Sequence, residues 1–159
     1  MNEYNDDYQR YSAVDLFSTQ GRIGRRMYFF YSIAIPFALF WIFGSVAGLL
    51  AKVGGSTTKL SYLLLGLAFL SVLFTVVRLT IQRCHDFNVS GKIAILAIIP
   101  FANIMFALIP GDNGLNSYGE APEPASKFIT LAVAFMGSLL ALSGIYSLLI
   151  LFNINLLTI

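Results

Sequence analysis

Four stretches of this chain carry no charged residue: 27–51, 60–77, 93–111 and 128–159. A helix needs roughly 20 apolar residues to cross a bilayer, so runs of this kind set the solvent before they set the fold. Only 11% of the residues are charged and 57% are hydrophobic. Soluble domains carry about 25% charge. The pattern predicts an all-α membrane protein, a polytopic bundle of four transmembrane helices. With 159 residues there is room for one compact unit.

The first run is the longest uninterrupted one before the C-terminal stretch. Tyr28 and Tyr31 stand where an aromatic belt is expected, and Pro36 is expected to kink the helix, which membranes tolerate. Gly44 and Gly48 form a small-residue pair that permits close helix approach, here expected within the same chain. Residues 52–59 read as a short Gly/Ser/Thr loop. The second run continues as polar helix past Arg78, whose long stem can snorkel, towards Arg83. The third run is only just long enough to span, and Pro100 and Asn103 interrupt it. It reads as a short third helix or as a re-entrant hairpin turning near Pro100. The fourth predicts a helix of about 20–25 residues, with Gly137, Ala141 and Gly144 as a packing face and Asn153 and Asn155 at its exit.

This divides the chain into a polar segment 1–26, a core 27–124 with three apolar segments, and an additional C-terminal helix in 125–159. In the first segment Tyr4, Tyr8, Tyr11 and Val14 fall at helical spacing. That fits a short interfacial helix. It fits a partly ordered tail equally, because Asp6, Asp7 and Asp15 oppose contact with anionic lipid. No cleavable signal is expected, since the first apolar run is too long and lacks an Ala-x-Ala exit. Counting Lys and Arg favours a cytoplasmic N-terminus, seven against three, when all four runs span. If the third run is re-entrant, the Gly/Asn-rich connection 111–119 moves to the cytoplasmic face and the C-terminus moves outside.

The chemistry concentrates in 78–92, which holds the only histidine, His85, and the only cysteine, Cys84. One cysteine leaves no internal disulfide and no Cys-based metal site, and no metal, cofactor or nucleotide motif is present. A net charge of +2 without a long basic patch argues against nucleic acid. Asp86 beside His85 suggests acid–base chemistry, but adjacent side chains point apart. The alternative is structural: Asp86 and Asn88 bend the loop, Ser90 N-caps the third helix, and Arg83 anchors to headgroups. Arg22, Arg25 and Arg26 share the predicted face with Arg83 and Lys92. They suit anionic phosphate, or they set topology only, or they pair with Asp86 and Asp15 to lock the N-terminal segment onto the loop. Asn113, Asn116, Tyr118 and Gly119 read as a compact Asx-type turn or as turned backbone that binds a headgroup or an ion.

Three pieces resemble the YhaH-like bacterial inner-membrane family, a domain of unknown function (805). They are Phe-Ser-Thr-Gln-Gly-Arg-Ile-Gly-Arg-Arg-Met-Tyr at 17–28, Arg-Cys-His-Asp to Ser-Gly at 83–91, and Pro-Gly to Gly at 110–119. The resemblance covers about residues 16–124. Gln82 stands where the family has an arginine, Lys92 and Ile93 where it has tryptophans, and Met27 and Phe29 where it has an acid and a tryptophan. The resemblance implies a bacterial inner-membrane location and supplies no activity.

The resulting expectation is a multi-pass inner-membrane protein without enzymatic activity. It would bind anionic membrane lipid or a partner membrane protein, with homo-oligomers as a further option. The contact would be a cytoplasmic-face cluster of Arg22, Arg25, Arg26, Arg83, His85, Asp86, Asn116 and Gly119. The alternatives are a small transporter or channel subunit, and a lipid-headgroup enzyme using His85 and Asp86. No acidic residue lies within the apolar runs, where ion-coupled transporters usually carry one.

Overall fold

A computed structural model describes residues 11–12, 14–99 and 102–151. It contains helices α1 (Arg25–Val53) and α2 (Ser56–Asp86), a 3-10 helix (Gly91–Ile98), α3 (Ala102–Leu108) and α4 (Lys127–Leu151). The chain forms two compact units, Met1–Pro124 and Ala125–Ile159. Three helices are long and apolar enough to cross a membrane: Arg25–Val53, Ser56–Asp86 and Lys127–Ile145. The chain is therefore an all-helical membrane protein.

In the first unit α1 and α2 form an antiparallel hairpin. Gly54 and Gly55 turn the chain at φ +78° and +63°, a region open to glycine at little cost. Thr57 closes the turn by donating its hydroxyl to the carbonyls of Leu50 and Gly54 at 2.8 and 2.6 Å. These are carbonyls a helix end otherwise leaves unpaired. α1 runs unbroken through Pro36. Within the hairpin the small-residue contact falls on Ala47, Ser61 and Ala68, which are buried. A Cβ at Gly44 or Gly48 would meet nothing within 4 Å, so the expected packing at that glycine pair is not what joins α1 to α2.

The third apolar run does not make a helix of spanning length, so three of the four expected helices are present. Eight residues of 3-10 helix cover about 16 Å, and seven residues of α3 cover about 10 Å. Neither reaches across about 30 Å of hydrocarbon. The break has a local cause. Ile99 precedes a proline, which disfavours the helical region, and it is extended at ψ 127°. Both ends of the run lie against the end of α2. A Cβ on Gly91 would come within 2.7 Å of Ile81 Cγ2, and the Asp112 amide donates to the Asp86 carbonyl at 2.7 Å. The run is thus a hairpin that leaves and returns at one end of α2. Ser90 caps its start, accepting from the Lys92 amide.

The core of this unit is Ile23, Tyr28, Leu79, Cys84, Ala94, Ala97 and Phe106, with Val76, Ile81 and Tyr31 packed on it. All of it lies towards the start of α1 and the end of α2. Tyr28 ties three elements together. Its hydroxyl donates to Asn103 Oδ1 at 3.0 Å and lies 3.0 Å from Thr80 Oγ1. Upstream, Tyr11, Ser12 and residues 14–24 form no helix, and the Ser12 amide donates to the Ala121 carbonyl at 2.9 Å. Tyr11 and Val14 therefore do not extend an interfacial helix. Tyr4 and Tyr8, like Pro100, Asn153 and Asn155, lie outside the described residues.

The second unit contains α4, 25 residues long. Ser126 accepts from the Ile129 amide at its start, as N-cap serines do. The hydroxyls of Ser138, Ser143 and Ser147 return to carbonyls of their own helix.

Replacing Tyr28 by Phe removes the hydroxyl that joins α1, α2 and α3 and strands Asn103 Oδ1. The expected loss is about 1–2 kcal/mol, read as a lower unfolding midpoint in detergent. Tyr28→Phe unfolding like the parent would mean the hairpin is held elsewhere.

Candidate functional site

The last two turns of α2 present Arg78, Gln82, Arg83, His85 and Asp86. Spacings of three and four place Arg83 on the face of Asp86 and Gln82 below it. Asp86 is the last helical residue, and Phe87 and Asn88 turn the chain away. Asn88 is the only described non-glycine residue at positive φ, +59°, a conformation asparagine tolerates better than most. Its side-chain oxygen accepts from the Ser117 amide at 3.3 Å.

Asp86 is shared by two arginines. Arg22, from the segment before α1, donates from Nη2 to Asp86 Oδ1 at 3.1 Å. Arg83 donates from Nη1 to Oδ2 of the same carboxylate. Relative exposure is 1% for Arg22, 0% for Arg83 and 3% for Asp86, so this is an interior triad.

Two guanidiniums and one carboxylate leave one excess positive charge in the interior. Burying an unpaired charge is costly, and backbone oxygens offset it here. Arg22 donates to the carbonyls of Asp112 and Gly114, both at 2.6 Å, and of Gly119 at 3.1 Å. Arg83 donates to the carbonyls of Phe106 at 2.9 Å, Ile23 at 3.3 Å and Ile109. The triad also sits at the C-terminus of α2, where the helix dipole favours cations. The planar five-donor fork of arginine suits this many fixed acceptors, and lysine would not replace it. Gly111 is the closest wall: a Cβ there would collide with the Asp86 carboxylate.

A second layer surrounds the triad. His85 Nδ1 lies 3.1 Å from the Gly21 carbonyl oxygen. A carbonyl only accepts, so Nδ1 carries the proton. The imidazole stacks on Tyr118 at 3.9 Å and 6°. Asn116 donates its amide to the His85 carbonyl at 2.9 Å, and its own oxygen accepts from the Tyr118 amide at 2.8 Å. Asn116 and Gly119 exchange backbone hydrogen bonds at 3.0 and 3.2 Å. This is the compact Asx turn expected from residues 113–119. Gln82 Nε2 donates to the carbonyls of Asp15 and Ser18, both at 2.6 Å, and Arg78 Nη1 donates to that of Phe17 at 2.8 Å.

Six of the eight candidate residues thus come together: Arg22, Arg83, His85, Asp86, Asn116 and Gly119. The pairing of an N-terminal arginine with Asp86 is present, but with Arg22 alone. Asp15 instead accepts from the Phe17 amide. Arg83 makes no headgroup anchor, because its donors are spent on protein acceptors. His85 and Asp86 form no dyad, because each has other partners. Arg25 and Arg26 are exposed at the start of α1 and make no ion pair with Asp86. Reading the sequence missed Gln82, Gly111, Tyr28 and Thr80 as partners of this region. Polar residues inside or beside apolar runs were the available signal.

Asp86→Asn leaves two buried guanidiniums without a carboxylate. Breaking a buried pair from one side costs about 3–5 kcal/mol, so the variant should lose most of its folded yield in detergent. Gly111→Ala should destabilise through the same carboxylate, whereas Gly114→Ala, whose Cβ would meet nothing within 4 Å, acts only through its backbone at φ +80°. Asp86→Asn and Gly111→Ala both matching the parent in thermal unfolding would remove the triad from its structural role.

No curated relative and no solved structure matches this chain. A family described as "Protein of unknown function (DUF805)" matches residues 16–120. The match begins at the segment that carries Arg22, ends just past Gly119, and so takes in every member of the triad and every carbonyl that it binds. The chain belongs to the DUF805 family.

Proposed function

We propose that the chain is an integral protein of the bacterial inner membrane that binds anionic lipid at its capped end, where the loops close over the triad at the end of α2, and carries out no chemistry of its own. The contact is Arg25, Arg26 and Lys92. The observation that carries this reading is electrostatic. Arg25 and Arg26 are exposed in the first turn of α1, where the helix dipole is positive and disfavours cations. Among the described residues the ion pairs involve only Arg22, Arg83 and Asp86, so no described carboxylate pairs with Arg25 or Arg26. Lys92 is exposed at the start of the 3-10 helix. Each basic residue at an anionic surface gains about 1 kcal/mol.

The bacterial inner-membrane location follows the family resemblance. The hairpin supports one orientation over the other. With the third run re-entrant, Arg10, Arg22, Arg25, Arg26, Arg78, Arg83, Lys92 and Lys127 fall on the capped side. Lys52 and Lys59 fall opposite, so eight of the ten basic residues share one side. That favours a cytoplasmic capped side, and on this reading three spans carry the C-terminus to the other face.

The other readings have less support. An enzyme using His85 and Asp86 would need the carboxylate free to meet substrate or to pair with the histidine, and Asp86 is buried between two arginines. A channel would need a polar path. Asn103 Oδ1 is bonded to Tyr28, and Ser45, Ser61, Ser71 and Thr75 donate to carbonyls of their own helices.

Native mass spectrometry from vesicles of mixed neutral and anionic phospholipid tests the site. The parent should retain anionic lipid, and a triple Arg25→Ala, Arg26→Ala, Lys92→Ala variant should lose it, by about 1 kcal/mol for each charge removed. Equal retention by the folded variant would sink the proposal. Orientation has its own check in intact cells. Cysteines placed at Lys92 and Asn113 should stay unlabelled by an impermeant maleimide, and one at Lys59 should label. Lys92 and Asn113 reporting opposite sides would restore a fourth span.

A further inference from the structure

We infer that the first unit is a wedge with its broad end in one leaflet, so that the protein favours membrane whose cytoplasmic leaflet is stretched by curvature. The inference rests on the membrane reading above and adds a shape to it. α2 has 31 residues, about 46 Å of helix against about 30 Å of hydrocarbon. Only the last third of that length is surrounded. The 3-10 helix and α3 pack on a core drawn from Ile23 to Tyr31 and from Val76 to Phe87. From about Ser56 to Thr75 the unit's cross-section is two helices. From Val76 to Asp86 it is two helices, a two-armed hairpin, and the loops that close over the triad.

The chemistry of the hairpin's outer face determines its surroundings. Ile95, Ile98, Ile99, Met105 and Leu108 are 55–66% exposed, an apolar band on both arms. Exposed Lys92 stands at the start of the first arm, and exposed Arg25 and Arg26 stand at the start of α1. An apolar face bordered by basic residues lies at the headgroup–acyl boundary, where binding depends on curvature. Because the hairpin begins and ends at the same end of α2, its volume is added to one leaflet only. A helix that crosses the membrane adds to both leaflets alike, so α4 does not cancel the difference.

The test is a membrane nanotube drawn from a giant vesicle holding the fluorescently labelled full chain at low density. Neutral phospholipid is used, so that anionic binding plays no part. Molecules with the capped end outward are read separately from those facing inward, by quenching with an impermeant reagent. The tube-to-vesicle density ratio should exceed unity for the outward population and fall below unity for the inward one. Replacing Ile95, Ile98, Met105 and Leu108 by Ala trims the outer face without touching the core, and should move both ratios towards unity. Ratios of unity in both orientations overturn the wedge. So does a dimer in single-molecule photobleaching whose formation those substitutions abolish, because a second copy then covers the face. A chain that alkaline carbonate strips from the vesicle would instead bring down the membrane reading itself.

Discussion

The carboxylate of Asp86 holds this fold together by being shared. One oxygen meets Arg22 and the other Arg83, and the two arginines then reach backbone carbonyls of Ile23, of Asp86 itself and of five residues between Phe106 and Gly119. Interior triads of this kind are not efficient sources of stability, because desolvation offsets most of the attraction. What they supply is register. Each fork must find its acceptors in one arrangement, and an apolar hairpin that could slide along α2 is fixed in place. Hydrophobic packing alone would not do this, since lipid competes on equal terms for every Ile and Leu of that hairpin.

Dense polar satisfaction at one end contrasts with plain packing at the other. Beyond Val76 the α1–α2 contact relies on small buried residues such as Ala47 and Ala68 and a two-glycine turn. Apart from Thr57 at the turn, the hydroxyls of Ser45, Ser61, Ser71 and Thr75 return to their own helices, which satisfies them without specifying a neighbour. The specificity of the unit therefore resides in the capped end, and so do the exposed cations that form the proposed lipid contact. The two sets of arginines divide the work. Arg22 and Arg83 position the backbone, and that backbone presents Arg25, Arg26 and Lys92 at a defined height.

Much of this was legible from residues alone. Charge-free length and its flanking residues gave the α1, α2 and α4 spans, and the Asx turn at 116–119 followed from side-chain chemistry. The Arg/His/Asp stretch stood out because it holds the chain's rare residues. Its role was harder to read, since an arginine that binds carbonyls and one that binds phosphate look the same in a sequence. Only burial separates Arg22 from Arg25, three positions later. The third run is just long enough to span, so a short spanning helix and a re-entrant hairpin both fit its sequence. The bonds that bring its end to the end of α2, Asp112 to Asp86 and Arg83 to Ile109, join distant residues, and no local pattern encodes them. Gly111 was visible as a turn former, but not as the wall that a carboxylate leans on.

The triad also imposes an order on assembly. Arg22 lies 64 residues before Asp86 and 97 before Gly119. At about 5–20 residues per second, several seconds of synthesis separate the arginine from its last acceptor. During that interval α1 and α2 can already be in the bilayer while Arg22 still faces water. The latch closes only when the chain has been made through the Gly/Asn turn. Quality control that senses an open capped end would therefore monitor completion of the whole family-matched segment, without any need to inspect α4.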